Sequence, residues 1–160
     1  MLEVRKVRYV VKLSEVPLYD APPGEPPRSV GVLVDTGNSD ELTMGVFVLP
    51  AGRRSEVDYH DQDESYFITR GRGYELLWLQ GEDGEPERFE IEAGSAVFIP
   101  KLVRHQMVNV GEEDLWLVWF FPRHVTGGKP QRVPFSPRTW VRREMPPDEW
   151  CLRLRSGCLR

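Results

Sequence analysis

Along residues 1–125 no run keeps apolar side chains at the i, i+3, i+4, i+7 spacing of an amphipathic helix. Short β-branched and aromatic runs recur instead between clusters of Gly, Pro and Asp, a pattern that predicts strands. Candidate strands cover 4–13, 29–34, 42–49, 56–60, 65–69, 74–79, 88–91, 96–99, 105–110 and 115–121. Between them stand turn formers such as Gly71-Arg72-Gly73 and the 81–86 run Gly-Glu-Asp-Gly-Glu-Pro. The body of the chain is expected to be all-β, with enough strands to fill two sheets or a barrel.

Two segments, 76–79 and 115–121, are apolar on both faces instead of alternating, so both of their sides need cover. A barrel lumen supplies one cover; the other must come from a second sheet, a terminal segment or a partner, and a homodimer is the expectation. Pro17, Pro22, Pro23, Pro26 and Pro27 mark 17–27 as a connecting loop or a sheet edge, because each proline removes a ladder donor. After Phe121 the prolines thicken again among scattered aromatics, too few to form a core. The expected organisation is N-terminal strands and a Pro-rich loop in 1–40, a barrel in 41–122 and an arm in 123–160 that packs on the barrel or a neighbour.

With 160 residues the chain holds one core and hardly two. Its 25 acidic and 21 basic side chains give 21 − 25 = −4, leaving no overall positive field for nucleic acid or an anionic membrane. The charges at Glu3, Arg5, Lys6 and Arg8 interrupt any signal-like apolar run, so a cytoplasmic location is expected. Cys151 and Cys158 cannot make a disulfide framework; they leave room for one late cross-link and read as free thiols.

Candidate chemistry concentrates in two stretches. On a strand, Asp58 and His60 point the same way, and Glu64 follows where a neighbouring strand should begin; farther on, His105 offers another donor. Asp61 and Asp63 read as turn residues at a barrel mouth, His124 as a loop residue, and Gly71, Gly73 and Gly94 as hairpin glycines, since no helix or lysine follows them in phosphate-loop register.

These stretches resemble the two motifs of the cupin superfamily. Gly52, His60, Glu64 and Gly71 fit the first, with Asp58 where the family has its first histidine; Gly94, Pro100, His105 and Asn109 fit the second, with Leu102 where a glycine is usual. The resemblance implies a jelly-roll β-barrel holding one divalent transition metal per chain, through Asp58, His60, Glu64 and His105. Histidine and carboxylate donors suit Fe, Mn, Ni, Co or Zn, and a second carboxylate shifts preference toward Fe or Mn. Without Asp58, the set is the two-histidine, one-carboxylate arrangement of non-haem iron sites.

The expected function is a metalloenzyme on a small organic substrate, by oxygenation, isomerisation, cyclisation or lyase chemistry. Glu64 or Asp58 would serve as base, and Tyr66, Arg70, Trp78, Met107 and Trp119 are candidates for the substrate pocket. The alternatives are a non-catalytic small-molecule-binding cupin and a structural assembly protein.

Overall fold

Glycine at 71 lets one strand give way to the next, in the other sheet, over a single residue: its φ of +86° is open to glycine at little cost, and a Cβ there would lie 2.9 Å from the Leu115 backbone. The strands on either side are two of ten in a computed structural model that describes residues 9–34, 39, 41–81, 83–122 and 141–143. They are β1 (Leu18–Asp20), β2 (Ser29–Val34), β3 (Leu42–Leu49), β4 (Glu64–Arg70), β5 (Arg72–Trp78), β6 (Glu87–Glu92), β7 (Ala96–Ile99), β8 (Arg104–Asn109), β9 (Leu115–Pro122) and β10 (Val141–Arg143). A 3-10 turn at Leu13–Glu15 precedes them. His124, Cys151 and Cys158 lie outside the described residues.

Two antiparallel sheets result, one ordered β10-β1-β2-β3-β9-β4-β7 and the other β6-β5-β8. Their facing sides share one apolar cluster, in which Leu49, Tyr66, Ile68, Ile99, Leu115, Leu117 and Trp119 of the large sheet meet Leu77, Ile91 and Met107 of the small one. The expected all-β jelly-roll architecture is therefore present. The Trp119 indole fits because its strand partner is Gly45, where a Cβ would come within 2.3 Å of the ring.

The doubly apolar β9 is covered as its sequence requires on most of its length. Leu115, Leu117 and Trp119 face the inner cluster, while Trp116 and Val118 join Leu18, Val46, Val48, Leu13 and Leu33 on the outer side. Farther along the outer side, Phe120 remains exposed.

Three sequence expectations differ. Leu13, expected at the end of a strand, lies in the 3-10 turn. Residues 18–20, within the Pro-rich segment, form β1 between β2 and β10, because no proline interrupts Leu18-Tyr19-Asp20. Residues 56–60 are not a strand. The segment 53–58 meets β8 through isolated bridges at Arg54–Val108 and Asp58–His105, and side chains replace part of the ladder between them: Met107 N donates to Ser55 Oγ and Gln106 Nε2 to Ser55 O. Among the described residues no helix is long and apolar enough to cross a membrane.

Candidate metal centre

Three ties bring the two chemical stretches together. Asp58 and His105 exchange N–H···O bonds at 2.9 Å in each direction, Leu102 N donates to His60 O at 2.7 Å, and Lys101 N donates to Asp63 Oδ1 at 2.9 Å. The turn between β7 and β8 is thereby clamped to the segment before β4. Leu102 accepts a φ of +65° to make its bond, at a place where a leucine is strained and a glycine is not.

The ligand atoms of His60, Glu64 and His105 consequently lie within 4.8 Å of one another. His60 Nε2 is 3.0 Å and His105 Nε2 3.5 Å from Glu64 Oε2. Each imidazole directs its other nitrogen to a carbonyl, His60 Nδ1 to Gln62 O at 2.5 Å and His105 Nδ1 to Val103 O at 3.2 Å. A carbonyl only accepts, so both Nδ1 atoms carry a proton; Nε2 donates to the Glu64 carboxylate when the ring is charged and holds a lone pair for a cation when the ring is neutral. That is the tautomer a ligating histidine needs, fixed by the backbone.

His60 packs edge-on against His105 and Phe121, with ring centroids 5.1 Å and 4.9 Å away. Burial works to lower its pKa, but the Glu64 hydrogen bond and charge, the Gln62 carbonyl and the charge of Asp58 outweigh it, and the net shift is upward. A site that favours positive charge on an imidazole also favours a cation among its donors. The two neutral-capable nitrogens and one carboxylate fit a divalent transition metal.

Asp58, expected as the fourth ligand, is not brought into this group. The irregular backbone at 56–60 removes the strand parity on which that expectation rested, and Asp58 Oδ1 instead accepts the Tyr59 amide at 2.9 Å. Its charge is still felt by His60. Of the pocket candidates, Tyr66, Met107 and Trp119 are buried in the inner cluster. Trp78 lies on the face of β5 opposite Leu77, half-buried, because Gly73, Glu75 and Leu77 take the inward positions. Arg70 Nε donates to Glu113 Oε2 at 2.6 Å at an exposed rim, after a register shift between Ile68 and Arg70 breaks the parity shared with Glu64.

Two contributors were not singled out in the sequence. Gln62 is buried, supplies the carbonyl that orients His60, and donates from Nε2 to Pro122 O at 2.8 Å. Glu75 is buried on β5 and receives the Tyr66 hydroxyl. Its signal was the acidic side chain within the otherwise apolar inward positions of β5.

An antiparallel double-sheet barrel with a His/Glu/His donor group between its sheets defines the class of protein. The chain belongs to the cupin family, whose Cupin domain description matches residues 45–121. It is 30% identical over 81 residues to an uncharacterised protein of Streptomyces coelicolor, covering 51% of this chain and 70% of that one. It is 34% identical over 62 residues to a 3-hydroxyanthranilate 3,4-dioxygenase of Burkholderia cenocepacia, 38% of this chain and 33% of that enzyme. The chain thus spans about a third of the dioxygenase. In fold it resembles the crystal structure of a predicted oxalate decarboxylase from Thermotoga maritima, with a TM-score of 0.60 and 21% identity over 72% of this chain and 99% of that one.

Proposed function

We propose that this cupin is a metalloenzyme acting on a small organic molecule, with one divalent transition metal held by His60, Glu64 and His105. The observation that carries the reading is the pair of imidazoles, each with Nδ1 turned to a backbone carbonyl and Nε2 turned to the same carboxylate. When bound, the metal supplies Lewis acidity toward two oxygens of a substrate such as a diketone, hydroxy acid or catechol. Iron or manganese is preferred, and nickel, cobalt and zinc also suit the donors.

Around that centre the protein's own groups orient and move protons. Phe121 and the inner apolar cluster exclude water from the imidazoles. Asp58, beside the group and outside it, takes a proton from the substrate, while Glu64 acts as a base only when it is not coordinating. Among oxygenation, isomerisation, cyclisation and lyase chemistry, similarity to a dioxygenase over 62 residues and to a glucose-6-phosphate isomerase over 67 supports oxygenation and isomerisation alike.

Elemental analysis and melting curves with and without a chelator test the centre in wild type, His105→Ala and Asp58→Ala. About one metal per chain is expected in wild type and Asp58→Ala, with loss of metal and of metal-dependent stabilisation in His105→Ala. Equal metal content in wild type and His105→Ala defeats the assignment.

A homodimer is proposed on the exposed outer aromatics. Phe98 and Phe120 flank Ser65 on neighbouring strands, and Phe67 follows on the same face of β4. Sedimentation of wild type against Phe98→Glu decides it, a monomeric wild type being the contrary result.

A further inference from the structure

Glu75 is 1% exposed on the inner face of β5. Its strand partner is Met107, two residues from His105, and its hydrogen-bond partner is Tyr66, two residues from Glu64. Glu75 and Tyr66 therefore make a polar layer one step deeper in the barrel than the donor group, about 7 Å along each strand.

Tyr66 donates its hydroxyl proton to Glu75 Oε2, and Oε1 has no hydrogen-bond partner among the described residues. A barrel built for stability alone would place an apolar side chain here, since a buried unpaired oxygen is destabilising. Burial and the charge of Glu64, against the opposing Tyr66 hydrogen bond, push Glu75 up to about 8. At neutral pH the carboxyl thus carries a proton, and with the Tyr66 hydroxyl already committed to Oε2, Oε1 is the edge left to offer it. Its neighbour across the ladder on β8 is Met107, an unbranched side chain whose torsions let it yield to a ligand.

We propose that Glu75, steadied by Tyr66, is a second recognition point of the same site, donating a hydrogen bond to an acceptor oxygen of a substrate that chelates at His60, Glu64 and His105. The inference rests on the metal-centre reading above. It narrows the substrate to small molecules with an acceptor oxygen beyond the two used for chelation, dicarboxylates and hydroxy acids among them. A neutral acid suits such anions, which an ionised carboxylate would repel.

The test uses Co(II)-loaded wild type, Glu75→Gln and Glu75→Leu, titrated with malonate and with acetohydroxamate and followed by the cobalt absorption. Malonate keeps acceptor oxygens after chelation, whereas acetohydroxamate uses both of its oxygens. Malonate affinity should fall about tenfold in Glu75→Leu and stay within about threefold in Glu75→Gln, which still donates, while acetohydroxamate affinity stays alike in all three. Carbon-13 resonances of the Glu75 carboxyl should report the protonated acid at neutral pH. Unchanged malonate affinity in cobalt-loaded Glu75→Leu overturns the role of Glu75 and leaves the metal centre standing. Parallel loss of both ligands, or an ionised Glu75, overturns it as well. Failure of wild type to take up cobalt overturns the metal-centre reading and this inference together.

Discussion

His60 Nε2 stands 3.0 Å from Glu64 Oε2 while the same ring is held from behind by the Gln62 carbonyl. Gln62 is itself anchored, its side-chain amide donating to Pro122 O at the end of β9. The orientation of the imidazole thus depends on a bond to a distant strand. Gln62→Ala should weaken metal binding about tenfold, the scale on which outer hydrogen bonds tune ligands. Competition against a chromogenic chelator measures it, and unchanged affinity would show that the anchor is dispensable.

Asn109 lies at the opposite end of β8 from His105. Its amide nitrogen donates to Leu49 O at 2.9 Å and to Glu113 O at 2.8 Å, and its Oδ1 accepts from Gly111 N at 2.9 Å. Asn109→Leu leaves three backbone groups without this partner at a nearly fully buried position. A loss of about 2–4 kcal/mol in chemical denaturation is expected, with metal content unchanged in the folded protein. A cost of less than about 1 kcal/mol would mean that water replaces the amide at this turn.

The strand pattern and the pairing of His60, Glu64 and His105 were legible in the sequence because both depend on local periodicity and fixed spacing. Residues 115–121 announced two buried faces, and the structure supplies an apolar cluster on each for most of that length. Side-chain direction was legible only where the ladder is regular. At 56–60 Ser55 replaces ladder bonds, and at Arg70 a register shift intervenes, so parity failed for Asp58 and Arg70. For Glu75 the sequence offered an acidic side chain among apolar inward positions of β5 but not its partner: Tyr66 comes from the other sheet, and no local rule pairs them.

Leu102 holds a left-handed backbone in the turn that clamps His60, and its side chain is 63% exposed. Leu102→Gly removes the Cβ clash and gives up little burial, while adding chain entropy to the unfolded state. The two effects partly offset, leaving a net stabilisation of about 0.5–1 kcal/mol. Thermal melting of the metal-free protein reads it; destabilisation instead would show that the leucine side chain contributes packing that outweighs the strain.

Glu75 makes stability depend on pH. Burial foremost, with the charge of Glu64, raises its carboxyl from an ordinary 4.5 to about 8 in the folded protein. Below the unfolded value the group is neutral in both states and contributes nothing to the difference. Between the two values the folded state keeps a proton that the unfolded chain has released, so folding stability falls as pH rises, and above the folded value the full penalty is present. The total is on the order of 5 kcal/mol. Glu75→Gln keeps the size of the side chain and cannot ionise, so its urea midpoint should lose this slope and exceed that of wild type at alkaline pH. Equal pH profiles for the two proteins would show that Glu75 already shares its charge state with the unfolded chain, and the neutral buried acid would be wrong.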